Sequence, residues 1–309
     1  MKRFKNILVV GSEGPAFDDL LDRAADLARR NDAELTILGV VESSRSNRRV
    51  VMHDGTEFDV NRFLLQTMRG ELEEVAASVD GVDVTVAVTT GTGFVEVIRS
   101  VTELGHDLVM VSPDPTRRRL AGSSRAMHLL RKCPVPVWVE SGVDGLERDV
   151  AVAIGPFAGS GEHDRMNEML LELGGSLAAI RGGGLHVIHA WRFEGESLLR
   201  RGRARPPAEE IDMMVAETYR RSEAALKALL EESPDFGVPV TVHLEKGEPG
   251  TVVPTILDEC RPGVIVMGTL ARAGLQGVFM GNTAERVLGN TVASVLAVKP
   301  EGFTTPVAV

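Results

Sequence analysis

Residues 264–288 read VIVMGTLARAGLQGVFMGNTAERVL, and this stretch decides how the rest of the chain is interpreted. The apolar run Val264–Met267 is typical of a strand that is covered on both faces of its sheet. The run Ala284–Leu288 has the spacing of a helix. Between them lies a loop framed by Gly268 and Gly281. A strand, a glycine-framed loop and a helix in this order direct backbone N–H groups and a helix N-terminus toward an anion.

The chain contains the same strand-and-helix unit twice. The intervals 91–112 and 247–268 both span 21 positions, and the intervals 122–139 and 281–298 both span 17. The loop between these blocks spans 10 positions in the first copy and 13 in the second. Two matched spacings around one difference in loop length indicate a repeat, because insertions and deletions concentrate in loops.

Strand and helix patterns alternate within each copy. Unbroken apolar runs such as 6–10 and 150–154 predict buried strands, with helical periodicity between them. We therefore predict an α/β fold of two tandem five-stranded parallel-sheet domains with right-handed crossovers. The polar, glycine-bearing join from Glu140 to Arg148 separates predicted domains 1–141 and 148–309. In such sheets a ligand site lies at the carboxyl ends of the strands, where the strand order reverses.

The composition excludes several classes of function. The 309 residues carry a formal net charge of −10, which argues against a nucleic acid as the main partner, because phosphate backbones require a basic face. No apolar run reaches the roughly 18 residues of a membrane span, and no signal-peptide pattern follows Met1. The two cysteines are typical of a reducing compartment. We therefore expect a cytoplasmic protein without a membrane span.

The glycine-framed loop resembles that of a known family. In nucleotide-binding universal stress proteins the loop has a glycine, two residues, a glycine, nine residues, a glycine and then serine or threonine. Here Gly268 takes the first glycine position, Ala271 the second and Gly281 the third. Asn282, followed by Thr283, stands where the hydroxyl residue is expected. Nearly the whole chain resembles two tandem domains of this family, whose fold is Rossmann-like and similar to that of the adenine-nucleotide alpha-hydrolases.

The resemblance implies that the second domain binds an adenine nucleotide, either ATP or a relative, with Mg. The candidate residues for this site end the predicted strands or form the loop, and they are Ile154, Gly155, His189, Met267, Gly268, Ala271, Arg272, Gly281, Asn282 and Thr283. A weaker candidate anion site in the first domain comprises Ser12, Ser112, Gly122, Ser123 and Ser124. The resemblance also implies that the last strands, Val135–Val139 and Ser294–Val298, pair within one chain as a pseudo-dimer, and it is compatible with a homodimer.

Several departures from the family pattern weaken the expected sites. Nucleotide-binding members usually have an aspartate at the end of the first strand, where this chain has Ser12 in the first copy and Gly155 in the second. Ala271 adds a Cβ atom where the backbone would approach phosphate. The first copy has Ser112 and Pro115 at the first two glycine positions of its shorter loop. We therefore predict that only the second copy binds nucleotide.

Several of the candidate site residues also have a purely structural explanation. The run Gly281-Asn282-Thr283 is also a good helix start, and Arg272 is as compatible with solvent as with phosphate. His189 is also compatible with a structural role as a hydrogen-bonded histidine of the core. Four methionines are expected in the core rather than around an apolar ligand: Met213, Met214, Met267 and Met280. Lys299 is expected on the surface.

The sequence shows no catalytic motif. It has no Gly-x-Ser-x-Gly elbow, no His-Glu-x-x-His pattern, no cysteine–histidine metal spacing and no P-loop lysine in its glycine loop. We predict neither catalytic residues nor metal ligands, and a binding or regulatory stress-response protein rather than an enzyme. Two alternatives stay open. One is a scaffold that binds no nucleotide, or binds an apolar ligand, and acts through protein partners; the other is a very slow ATPase.

Overall fold

The structure is a computed structural model, and it describes residues 4–11, 15–42, 49–51, 53–54, 57–112, 124–141, 146–155, 157, 161–202, 206–269 and 280–308. At residues 15, 49, 50, 124, 161–163 and 282 only the backbone is described. The described residues belong to two compact units. The first draws on Met1–Gly142 and Ser294–Val309, and the second on Val143–Ala273 and Met280–Ala293.

Strands and helices alternate along most of the chain. In order, the elements are β1 (Asn6–Val10), α1 (Pro15–Asn31), β2 (Glu34–Glu42), β3 (Arg49–Val51), β4 (Glu57–Asp59), α2 (Val60–Ala77), β5 (Val84–Gly91), α3 (Gly93–Leu104), β6 (Leu108–Val111), α4 (Ser124–Lys132), β7 (Val137–Val139), β8 (Glu147–Ile154), α5 (Gly161–Arg181), β9 (Leu185–Trp191), α6 (Glu196–Arg201), α7 (Ala208–Glu232), β10 (Val240–Lys246), α8 (Pro249–Cys260), β11 (Pro262–Gly268), α9 (Asn282–Asn290) and β12 (Ser294–Val298).

The strands of each unit form a mostly parallel arrangement. In the first unit the order is β5-β2-β1-β6-β7-β12, and in the second it is β10-β9-β8-β11. The apolar runs form the central strands: Ile7, Leu8 and Val9 of β1 are fully buried. On α1, Leu20 and Ala24 are also fully buried, as the helical spacing predicts. The predicted α/β class with parallel sheets is confirmed.

The last strand of the second copy belongs to the first unit. β12 pairs antiparallel with β7, with Val295 opposite Val139 and Ala297 opposite Val137. The two last strands therefore lie side by side, as the resemblance implied. β7 is a central strand, bonded to both β6 and β12, although two prolines precede it. Pro134 and Pro136 precede β7, so no N–H group within the strand is lost.

A buried carboxylate stands where β7 meets β12. Glu140 is 5% exposed and accepts hydrogen bonds from Trp138 Nε1 and Ser294 Oγ, both at 2.8 Å. Arg23 Nε of α1 lies 2.8 Å from Glu140 Oε2 as an ion pair. The Ser141 N–H also donates to Ser294 Oγ. One carboxylate thus joins a helix and two strands of the first unit.

Several details differ from the sequence interpretation. The hairpin of β3 and β4 was not predicted, and Phe63, expected on the buried stripe of α2, is 51% exposed and lies against Phe58 of that hairpin. Met213 and Met214 are exposed, whereas Met267 and Met280 are buried as expected. None of the helices in the described residues is long and apolar enough to span a bilayer.

Lys299 is buried, which corrects the expectation of a surface residue. It is 7% exposed, and its ammonium donates to the carbonyl of Leu130 near the end of α4. The ammonium also lies 5.2 Å from the centre of the Phe303 ring. Lys299 follows β12 directly, so the pairing of that strand carries the side chain into the first unit.

Candidate nucleotide site

The strand order of the second unit reverses between β8 and β11. β8 pairs with β9, the next strand in the chain, on one side and with β11 on the other. Ala153 lies opposite Met267, and Ile154 lies opposite His189. The carboxyl ends of three neighbouring strands therefore meet, and this is where open α/β sheets bind ligands.

The glycine-framed loop leaves and returns at this edge. The Gly281 N–H donates to the carbonyl of Thr269 at 3.1 Å, which holds the start of α9 beside the end of β11. Gly281 is the N-cap of α9 and, as a glycine, it has no side chain with which to cap the helix. The first N–H groups of an uncapped helix are donors available to an anion.

The space beside Gly268 is open. A Cβ atom placed on Gly268 would meet no atom of the described residues within 4 Å, and Gly268 ends β11 directly before the buried Thr269. The end of this strand is therefore not covered by side chains of the described residues. A phosphate group could approach the backbone here without displacing a packed side chain.

An amide side chain lies at the end of β8. Asn167 of α5 is 2% exposed, and its Oδ1 accepts a hydrogen bond from the Gly155 N–H at 3.0 Å. Its Nδ2 is buried and has no hydrogen-bond partner in the part of the chain that the structure describes. The residue was not predicted as part of the site. A polar residue on a helical stripe with Leu170, Leu171 and Ala178, all buried, was the available signal.

His189 is a buried neutral imidazole near the same edge. It is 3% exposed, its ring centre lies 4.9 Å from that of Phe157, and Nδ1 lies 3.4 Å from the carbonyl oxygen of Ile154. Burial lowers the pKa of His189 below its ordinary value of 6.5, and the contact with Ile154 opposes this shift only in part. At pH 7 the ring therefore carries no charge that could attract phosphate.

Most of the predicted site residues of the second copy lie at this edge. The structure brings together Ile154, Gly155, His189, Met267, Gly268 and Gly281. The backbone of Asn282 and Thr283 forms the first turn of α9, and the side chain of Asn282 is outside the description. Ala271 and Arg272 lie outside the described residues.

The corresponding edge of the first copy is filled by apolar side chains. A Cβ atom on Gly39 of β2 would lie 2.7 Å from Met68 Sδ and 2.8 Å from Leu72 Cδ1. At Gly11, which follows β1, it would lie 3.1 Å from Leu72 Cδ2. Both side chains belong to α2, so this helix occupies the space at the ends of β1 and β2.

The weaker anion site of the first copy is described only in small part. Ser112 follows β6, and Ser124 begins α4, where only its backbone is described. Ser12, Gly122 and Ser123 lie outside the described residues. The anion site of the first copy therefore stays a prediction.

Comparisons with known proteins agree with the fold and with the repeat. The model of the universal stress protein family matches residues 3–140 and again 149–299. Universal stress protein E of Photorhabdus laumondii is 26% identical over 99% of this chain and 98% of its own length. Universal stress protein E of Escherichia coli K12 is 30% identical over 69% of this chain and 67% of its own length. A solved Pseudomonas aeruginosa PAO1 protein of unknown function shares the fold, with a TM-score of 0.69 and 23% identity over 97% of this chain and 94% of its own. Two matches to one family model, together spanning nearly the whole chain, show that it belongs to the universal stress protein family.

Proposed function

We propose that this chain is a cytoplasmic, non-enzymatic regulatory module of the stress response, whose second domain (148–309) binds an adenine nucleotide such as ATP with Mg. The observation that carries the proposal is the N-terminus of α9, which has a glycine as its N-cap and is held beside the end of β11. The first domain (1–141) is proposed to complete a pseudo-dimer rather than to bind nucleotide. The pairing of β7 with β12 supports the pseudo-dimer.

The contrast between the two copies supports the assignment to the second domain. At the residue that follows the first strand of each copy, a Cβ atom on Gly155 would meet no described atom closer than Asn167 Oδ1 at 3.5 Å, whereas on Gly11 it would lie 3.1 Å from Leu72 Cδ2. A ligand at the first copy would have to displace Leu72, which is buried, and exposing a large buried apolar side chain costs about 1.5–3 kcal/mol. Among the described residues, no apolar side chain stands this close to position 155.

Gly281→Asp is expected to abolish stabilisation by ATP and Mg²⁺. The new carboxylate would stand at the helix N-terminus and repel the phosphates. In the parent protein, a hundredfold excess of ligand over its Kd raises the free energy of unfolding by about 2.7 kcal/mol. Thermal unfolding with and without ATP and Mg²⁺ measures this stabilisation in the parent and in the variant. Gly122→Asp, at the matching position of the first copy, is the control and should keep the full shift. Equal losses from both substitutions would contradict the proposal.

The bound nucleotide is expected to be held weakly. Gly155 lacks the expected carboxylate and Asn282 lacks the hydroxyl, and each lost hydrogen bond to a charged group costs about 1.5–3 kcal/mol. Two such losses weaken binding by roughly a hundredfold or more, so we expect a Kd no better than tens of micromolar. Isothermal titration tests the affinity. Slow formation of ADP and phosphate over time would establish the alternative of a very slow ATPase, whereas submicromolar binding, or hydrolysis at about one turnover per second, would contradict the expectation of a weakened site.

An exposed groove supports a second candidate function, the binding of an apolar ligand or partner. The groove has a volume of about 420 Å³ and is lined by Phe193, Met213 and Met214, among others. Met213 is 62% exposed and Met214 41%. If this function holds, a fluorescent fatty acid should bind the parent protein, and the Met213→Glu, Met214→Glu double variant should lose that binding. The Leu104→Glu variant, at a residue of the first unit that is 59% exposed, is the control. Equal binding to parent and double variant would exclude the groove.

A further inference from the structure

The side-chain amide of Asn167 has an oxygen that is hydrogen-bonded and a nitrogen that has no partner among the described residues. Oδ1 is held by the Gly155 N–H at 3.0 Å, which sets the orientation of the amide. Nδ2, a donor of two hydrogen bonds, is buried without a partner in the described part of the chain. Buried donors without an acceptor are rare because they cost free energy, so each one requires a structural or functional reason.

The first copy has an apolar residue at the matching helical position. Each first helix of a copy is followed by a residue of positive φ, Asp32 (54°) in the first copy and Gly182 (65°) in the second. Fifteen positions before them stand Phe17 and Asn167. Phe17 is 2% exposed, so this position packs well with an apolar ring. The amide is therefore not a requirement of the fold.

The location of the amide connects it to the end of β8. A Cβ atom on Gly155 would lie 3.5 Å from Asn167 Oδ1, so the amide lies on the side toward which a side chain at position 155 would point. Position 155 is where the family resemblance led us to expect a carboxylate. Asn167 thus brings a polar group from a helix to a place that the strand leaves without one.

We propose that Asn167 determines the ligand specificity of the second domain by donating a hydrogen bond from Nδ2 to the nucleoside part of the bound nucleotide. This inference rests on the proposed function. Because Oδ1 already accepts from the Gly155 N–H, the group of this amide that has no partner in the described residues is the Nδ2 donor. The matching ligand atom is an acceptor, either a purine ring nitrogen or a ribose oxygen.

Asn167→Asp tests the polarity of this contact with little change of shape. Oδ1 can still accept from Gly155, while the unused donor becomes an acceptor that repels the ligand atom. We expect the Kd for ATP and for adenosine to rise at least tenfold, and the Kd for inorganic tripolyphosphate, the probe for the phosphate end, to stay within about twofold. Asn31→Asp, a buried asparagine of the first unit, is the control and should leave all three constants unchanged.

A second variant keeps the test decisive if Asn167→Asp folds poorly. Asn167→Leu places an apolar group where the first copy has Phe17, and it should fold while losing adenosine binding. Unchanged binding of ATP and adenosine by both variants, or tighter binding by Asn167→Asp, would overturn the inference alone. A parallel loss of adenosine and tripolyphosphate binding would also overturn it, because the role would then be structural. A parent protein that binds neither ATP nor adenosine would overturn the proposed function itself.

Discussion

Glu140→Ala is expected to destabilise the first unit by about 3 kcal/mol. The substitution leaves Trp138 Nε1, Ser294 Oγ and the Arg23 guanidinium without the carboxylate that they share. Removing one partner of a buried ion pair costs about 3–5 kcal/mol. The side chain of Arg23 is 38% exposed, so water can replace part of the lost contact, and we expect the lower end of that range.

The two tryptophans allow the effect to be assigned to one unit. Trp138 belongs to the first unit and Trp191 to the second, so a Trp191→Phe background leaves a fluorescence reporter of the first. The denaturation midpoint should fall sharply for Glu140→Ala. Glu73→Ala is the control, because Glu73 forms only an exposed ion pair with Arg69 at 4.0 Å, and such pairs contribute about 0–1 kcal/mol. A midpoint for Glu140→Ala no lower than that of the control would show that the network does not hold the unit together.

Lys299 is expected to make the first unit more stable as the pH rises from 7 to 9. Burial lowers the pKa of Lys299 from 10.5 to about 8, and the nearby Cys133 opposes the shift. Between these two pKa values the unfolded chain holds a proton that the folded chain has released, so stability rises with pH in that window. From pH 7 to 9 the gain is about 1.4 kcal/mol, which corresponds to a tenfold change in the folding equilibrium.

The test compares the slope of stability against pH in two proteins. Lys299→Met should lack the rise that the parent shows between pH 7 and 9, with Trp138 as the reporter of the first unit. Lys132→Met removes an amine from the end of α4, the helix whose Leu130 carbonyl contacts Lys299, and should keep the parental slope. Measurements stop at pH 9 because burial raises the pKa of the Cys133 thiol to about 11, and its titration opposes the rise above that pH. Identical slopes for the parent and Lys299→Met would refute this account.

Features that depend on local pattern were predictable. The strands and helices follow from the spacing of apolar residues, and most predicted strands fall within about two residues of those observed, because pattern locates an element better than its ends. β10 begins at Val240, directly after Pro239, which has no N–H group to donate to a neighbouring strand. The positions of Gly268 and Gly281 were also predictable, because glycine spacing in the loop is a local signal.

Features that depend on contacts between distant residues were not predictable. Asn167 and Gly155 meet only because α5 packs against β8, and no spacing in the sequence marks that hydrogen bond. The burial of Lys299 follows from the pairing of β12 with β7, elements more than 150 positions apart. Leu72 and Met68 lie beside Gly39 only because α2 packs on β2, and no local spacing in the sequence marks that contact.

The place of β12 has a consequence for how the protein is made. β7 is complete when Val139 has been synthesised, yet its antiparallel neighbour β12 ends 159 positions later, at Val298. At about 5–20 residues per second, the ribosome needs about 8–30 s to supply it. During that interval β7 is a strand edge that lacks its partner, and such edges recruit other chains. The first unit therefore begins to emerge from the ribosome first and is completed last. In that interval, neighbouring nascent chains on one messenger RNA have time to exchange strands.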